Sequence, residues 1–228
     1  MTTFTTEDRI AFEPIPFAGM VRIDYPERLL EQGTDEWKKA RLGHVSGSSI
    51  ADVMAKGRGV TRKNYLIKMV AERLTGMWEE SYKSNAMDWG NQTEPLARIA
   101  YENHTQSFVD KTGFWKHPTI EYLGVSPDGL VGNDGLIEIK CPNTTTHLDY
   151  IFDDKVPATY YKQIQCQLWV TGRAWCDFVS YDPRLPIKNR LFVKRCIRDE
   201  ELIAEMEVAV KEFLEEVEVF INILSGEK

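Results

Sequence analysis

An α/β fold with a central mixed β-sheet flanked by helices is what this chain predicts, and three observations carry the prediction. Helical spacing fills much of residues 34–102, short strand-like segments follow over 107–141, and then come a helix, two strands and a helix, an order that layers helices on a sheet. The chain has 228 residues, 43% hydrophobic and 28% charged, which one core can organise, and no repeat, low-complexity tract or Pro/Gly/Ser linker divides it. The last segment, from Asp199, sets Leu202, Met206, Val210, Phe213, Val217, Phe220 and Leu224 three and four apart, the stripe of an acidic amphipathic helix over 199–224. One domain over residues 1–228 is expected.

Each element has its own signal. The first 25 or so residues lack periodicity and read as an irregular arm. Thr34 precedes Asp35-Glu36-Trp37, a cap and acidic turn that suit the positive end of a helix dipole, and Gly43 ends that short helix. Ser46-Gly47-Ser48-Ser49 opens a second helix to Ala55. A third runs from Thr61 to Leu74 with Tyr65, Leu66, Met69, Val70 and Leu74 on one face and Gly76 as its stop. A fourth lies between Asn85 and Glu102, with Pro95 in a first turn or at a kink. Between Ser107 and Cys141 short apolar runs are broken by Pro127-Asp128-Gly129 and Asn133-Asp134-Gly135, the pattern of a meander. Pro157 to Thr171 is helical, and residues 174–182 and 190–197 are strands.

Composition narrows the function classes. No window approaches about 18 uninterrupted apolar residues and no basic region precedes an apolar run at the N-terminus, so neither a membrane span nor a secretory signal is expected, and a soluble cytoplasmic protein is. Cys141, Cys166, Cys176 and Cys196 lack C-x-x-C spacing, which argues against zinc, an iron-sulfur cluster or a disulfide framework. The net charge of −7 counts against a nucleic-acid partner until its distribution is examined. Residues 199–228 hold ten acidic groups against Lys211 and Lys228, a balance of −8, so the rest of the chain carries 26 basic and 25 acidic groups, or +1. Basic residues concentrate at Lys56, Arg58, Arg62, Lys63 and Lys68, a surface that could face an anion although such clusters are commonly just solvated.

The pattern that carries chemistry is Pro127-Asp128 followed, after nine residues, by Glu138-Ile139-Lys140. Strand alternation puts Glu138 and Lys140 on one side and Ile139 in the apolar layer. A turn at Asp128 that folds back along this strand gathers two carboxylates and an ammonium. Hard divalent cations such as Mg²⁺ are held by one or two carboxylates together with substrate phosphate, and the lysine can orient and help ionise the attacking water. Alone, a Pro-Asp-Gly triplet is mostly a turn and Glu-x-Lys mostly a strand edge; in this order and context they point to phosphodiester hydrolysis.

This trio resembles the PD-(D/E)xK nuclease superfamily, which implies a restriction-endonuclease-like core. Longer stretches resemble the phage lambda exonuclease family, the viral recombinase type of alkaline exonuclease: residues 31–58 its N-terminal motif, 87–94 (MDWGNQTE) its acidic helix motif, 126–142 its metal motif and 159–172 (TYYKQIQCQLWVTG) its glutamine-tyrosine motif. The resemblance implies that Asp128 and Glu138 ligate the metal with the Ile139 carbonyl, that Glu94 assists, and that Lys140 activates the water. Tyr160 and Gln163 share the site face of their helix, while Gln165 also matches but lies on another face, where it is assigned to DNA binding. Arg41, Ser48 and Arg58 match positions that grip a terminal 5′-phosphate, a task suited to guanidinium groups. Met87 falls where the family has an apolar residue that parts the strands, although a core methionine is the simpler reading.

The resemblance further implies an Mg²⁺-dependent 5′-to-3′ exodeoxyribonuclease, with Mn²⁺ able to substitute and one or two ions acting, that leaves 3′ single-stranded tails on linear duplex DNA. It implies a homotrimeric ring, a single-strand annealing protein as partner, and action in the cytoplasm of a bacterial host from a phage or prophage gene. Competing readings are an endonuclease or helicase-associated nuclease of the same fold, and a catalytically silent module that binds DNA ends for recombination.

Overall fold

The computed structural model describes residues 26–55, 60–78 and 85–226. The expected arm over 1–25 and the basic residues Lys56 and Arg58 lie outside the described residues. In chain order the elements are α1 (Asp35–Arg41), β1 (Val45–Ser46), α2 (Ile50–Val53), α3 (Val60–Thr75), α4 (Asn85–Thr105), β2 (Val109–Asp110), β3 (Trp115–Lys116), β4 (Leu123–Val125), β5 (Gly129–Val131), β6 (Gly135–Lys140), α5 (Thr144–Asp153), α6 (Ala158–Thr171), β7 (Trp175–Tyr181), β8 (Leu191–Ile197) and α7 (Glu200–Ser225).

The mixed α/β architecture is the one expected. The main sheet has the order β2-β5-β6-β7-β8, antiparallel throughout except that β6 runs parallel to β7. A parallel pair needs a crossover, and α5 with α6 supplies it. Alternation along β6 then divides its side chains between two layers. Ile137 and Ile139 meet Ala97 and Tyr101 of α4 and Val179 of β7. Leu136 faces the other way, against Ile164 and Leu168 of α6 with Cys176 and Phe178 of β7. A third core joins α3 to α7 through Tyr65, Met69, Met206, Val210 and Phe213, with the Tyr65 and Phe213 rings stacked at 5.4 Å.

Several expectations are corrected. The segment 107–141 is no single meander: β3 and β4 leave the main sheet and form a second one with β1, in the order β1-β4-β3, with Val45 paired in parallel to Leu123. Helix α5 occupies residues to which the sequence assigned no element; Asn143 caps it by accepting the Thr146 N–H at 2.9 Å. Of the two places allowed for Pro95, the structure takes the one inside α4, where the ring offers no N–H to the Asn91 carbonyl. Leu74 is exposed because Glu72 takes the inward place in the last turns of α3. Phe220 and Leu224 are exposed as well, since the inward stripe of α7 passes from Val217 to the half-buried Ile221. Part of the acidic surplus of α7 is also paired: Arg62 of α3 grips Glu216 through two bonds of 2.8 and 2.7 Å, and Arg73 pairs with Glu218.

Candidate active site

Pro127-Asp128 lies where the chain leaves β4 in one sheet to enter β5 in the other. The β5–β6 register pairs Gly129 with Ile137, which brings Asp128 beside the C-terminal half of β6. Its Oδ2 accepts the Ile139 N–H at 2.6 Å, and Arg98 of α4 donates to its carbonyl at 2.7 Å. Lys140 and Glu138, two apart on β6, point to one side as alternation requires, with Lys140 Nζ at 2.5 Å from Glu138 Oε1.

Glu138 is 1% exposed, so its charge depends on its partners. Gln163 Nε2 donates to Oε1 and Gln167 Nε2 to Oε2, each at 2.6 Å. Both glutamines come from α6, four residues apart and therefore on one face. Tyr160, one turn before Gln163, stacks on Phe178 at 5.5 Å and lies 5.0 Å beneath the Lys140 ammonium. Gln165 faces elsewhere: it is 0% exposed, donates to the Ile197 carbonyl at 2.8 Å and accepts the Asp199 N–H at 2.8 Å. Its assignment to DNA is thereby corrected; it ties the end of β8 to the start of α7.

The electrostatics are those of crowded carboxylates. Burial and then the negative charge of Glu138 push the Asp128 carboxyl well above its ordinary range, against the pull of Lys140. Burial opposes the charge on Lys140, but Glu138 and Asp128 outweigh it and the net shift is upward. Cys141, next along, is pushed up to about 12 by burial and then by Glu94 and Asp128, so it stays a thiol. Glu94 on α4 is drawn to Arg98 at 2.8 Å, and the same guanidinium reaches the Asp128 carbonyl. Among the described residues no group of three or more His, Cys, Asp or Glu is close enough to hold a metal, so the candidate ligand set is the pair Asp128 and Glu138 with a backbone carbonyl. That set fits a hard divalent cation: its donors are oxygens, and a cation would relieve the repulsion that raises Asp128.

The predicted phosphate residues gather in a second place. Arg41 and Ser48 line a cavity of about 120 Å³ together with Ser46, Ser49, Lys68 and Glu72. The Arg41 guanidinium lies 4.1 Å over the Trp37 ring and 5.7 Å from Trp78, and burial lowers its pKa. Gly47, within this serine turn, lies flat on α6: an added Cβ would stand 3.6 Å from the Gln163 carbonyl and 3.7 Å from Gln167 Cγ. The turn that carries Ser46 and Ser48 therefore packs on the same helix, α6, that fixes Glu138. Met87, 48% exposed, is no core residue; it stands two helical turns before Glu94 on one face of α4. Arg58 lies outside the described residues.

Sequence reasoning missed Gln167, Arg98 and, as a site residue, Ser46, while Lys68 was already among the basic residues that could face an anion. Helical spacing from Gln163 to Gln167 and from Glu94 to Arg98 could have found the first two.

The fold and the family match define a nuclease, a phosphodiester hydrolase. The chain belongs to the YqaJ-like viral recombinase domain family, whose pattern matches residues 36–174, and the resemblance to the lambda exonuclease family is borne out. It is similar to the alkaline exonuclease LHK-Exo of Laribacter hongkongensis, with 47% identity and a TM-score of 0.80 over 85% of this chain and 97% of that one. The complex of LHK-Exo with dAMP matches over the same shares at 49% identity and a TM-score of 0.81. A phage-related exonuclease from Haemophilus somnus shares the fold at 18% identity, covering 79% of this chain and 96% of that one with a TM-score of 0.66. Uncharacterized protein R354 of Acanthamoeba polyphaga mimivirus is 26% identical over 177 residues; these are 70% of this chain, which spans about a third (31%) of that relative's length.

Proposed function

We propose that the chain is a divalent-metal-dependent exodeoxyribonuclease that digests one strand of linear duplex DNA from its 5′ end. The observation that carries this reading is the convergence of Asp128, Glu138 and Lys140 at the C-terminal end of β6, with both Glu138 oxygens fixed from α6. The likeness to an alkaline exonuclease at 47% identity supports end-directed cutting over endonucleolytic cutting. The complete trio weighs against a catalytically silent module.

In this reading Asp128, Glu138 and the Ile139 carbonyl hold the ion, Mg²⁺ with Mn²⁺ as a substitute, and Glu94 supports it. A bound divalent cation supplies Lewis-acid stabilisation of the phosphoryl oxygens. Gln163 and Gln167 fix the Glu138 carboxylate, so the charge that meets the ion needs no reorganisation during the reaction. Lys140 stays protonated beside Glu138 and aims the attacking water with an N–H donor, and Tyr160 carries the lysine stem and head on its ring face.

Arg41 and Ser48 grip the terminal 5′-phosphate, with Arg58 as a further cation. The packing of the serine turn on α6 then sets how far the strand end lies from the carboxylates, and geometry fixes polarity. Exposed Met87 acts as the wedge that parts the strands ahead of Glu94. A homotrimeric ring, with α7 outward and basic groups inward, reconciles a −7 chain with DNA. The 3′ tail left behind suits a single-strand annealing partner in the cytoplasm of a bacterial host; among the described residues no helix is long and apolar enough to cross a membrane. A single folding unit over 1–228 completes the reading.

The test is cleavage of linear and covalently closed circular duplex with and without Mg²⁺. Loss of the linear substrate only, and only with the ion, is expected. Cutting of the closed circle at a comparable rate overturns the exonuclease reading in favour of an endonuclease.

A further inference from the structure

The Arg41 cavity holds one group that an anion site does not need. Glu72 of α3 lines it and is 2% exposed. Its Oε2 accepts the Gly43 N–H at 3.1 Å, while the next residue, Arg73, donates to the Gly43 carbonyl at 3.1 Å. Gly43 has φ +68° and an added Cβ would meet Arg73 Cγ at 2.7 Å, so these two neighbours clasp the turn that joins Arg41 to the serines. That accounts for one oxygen. The other, Oε1, is buried with no hydrogen-bond partner among the described residues, and its nearest cation, Lys68 Nζ, stands 3.7 Å away.

An exonuclease that removes one nucleotide at a time must release its grip on the strand end after every cut. An anion cavity with Arg41, Lys68 and three serine hydroxyls faces the danger of holding on. A fixed carboxylate within it weakens every phosphate that enters, because a like charge in a poorly hydrated place costs more than in water. The same charge steadies the buried Arg41 guanidinium while the cavity is empty, since Glu72 opposes the loss of charge that burial favours there. We propose that Glu72 is a specificity-setting residue of the 5′-end cavity, whose second carboxylate oxygen limits phosphate affinity so that the terminal nucleotide leaves and the strand advances. This rests on the reading of the cavity as the 5′-phosphate site.

Glu72→Gln tests it, because the amide oxygen can still accept from Gly43 while an N–H₂ replaces the second oxygen. The measurement is inhibition of linear-duplex digestion by dAMP, together with kcat and KM on 5′-phosphoryl duplex. The variant is expected to bind dAMP at least about tenfold more tightly, and kcat and KM are expected to fall together, the sign of slower release. A merely structural role would leave KM and dAMP inhibition unchanged, or weaken both, and either result overturns the proposal. Lys68→Gln, on the more exposed side of α3, serves if the first variant does not fold. With the carboxylate unopposed, dAMP inhibition should weaken about tenfold or more, and unchanged inhibition overturns the proposal as well. If the wild type shows neither dAMP inhibition nor a preference for 5′-phosphoryl ends, the reading of the cavity itself fails. If the wild type shows both and Glu72→Gln changes neither, only the release role fails.

Discussion

In the carboxylate site the functional groups hang from β6 and α6, each carboxylate oxygen of Glu138 is bonded, and Asp128 is pinned to the backbone of the next strand. The Arg41 cavity lies between one face of α3 and short pieces, namely the end of a seven-residue helix, a two-residue strand and a serine turn, and among the described residues it keeps a buried carboxylate oxygen with no hydrogen-bond partner. The difference suits the two tasks proposed for them. A centre that stabilises charge in a transition state gains from donors already in place. A site that must bind and release a strand end many times gains from affinity held in check.

The comparison breaks most sharply at the carboxylates. Asp128→Ala or Glu138→Ala should take cleavage of linear duplex below detection while thermal unfolding remains cooperative; wild-type rates in Asp128→Ala would remove the site. Lys140→Ala should lose about a hundred- to ten-thousandfold in kcat, the range for one positioned proton-handling group, and keep metal affinity by calorimetry. Gln163→Ala and Gln167→Ala each withdraw one hydrogen bond from a buried charge, which costs about 1.5–3 kcal/mol, or roughly ten- to more than a hundredfold in rate. Such variants should respond to excess metal more than Lys140→Ala does, because they act through the Glu138 carboxylate. Gln165→Leu marks the boundary of the site. It should lower the melting temperature by a few degrees, since it leaves buried backbone groups unpaired at the β8–α7 junction, and should leave DNA affinity unchanged.

How much of this was legible in the sequence depended on the range of the signal. Period-two alternation placed Glu138 with Lys140, and turn-forming residues placed Asp128 before them, because both rules act within a few residues. Three-residue spacing on a helix is equally local, and it put Tyr160 and Gln163 on one face. Gln165 could not be judged this way, since its partners Ile197 and Asp199 come from elements over thirty residues later. The second sheet was hidden for a similar reason: β1 and β3 have two residues each, too short for any period, and Val45 finds Leu123 only in the folded chain. Helix α5 begins with three threonines, β-branched residues that give little helical signal, and no element was assigned there; its Asn143 cap was the available clue.

The division of labour between the two regions meets its most direct test in one ratio, the initial rate on 5′-phosphoryl linear duplex over that on the 5′-hydroxyl form, for wild type and Arg41→Ala. The wild type should favour the phosphate, and Arg41→Ala should lose most of that preference while its slower rate on the hydroxyl form stays near that of the wild type. An unchanged ratio, or an equal loss on both ends, would contradict a cavity that reads the strand end apart from the centre that cuts it.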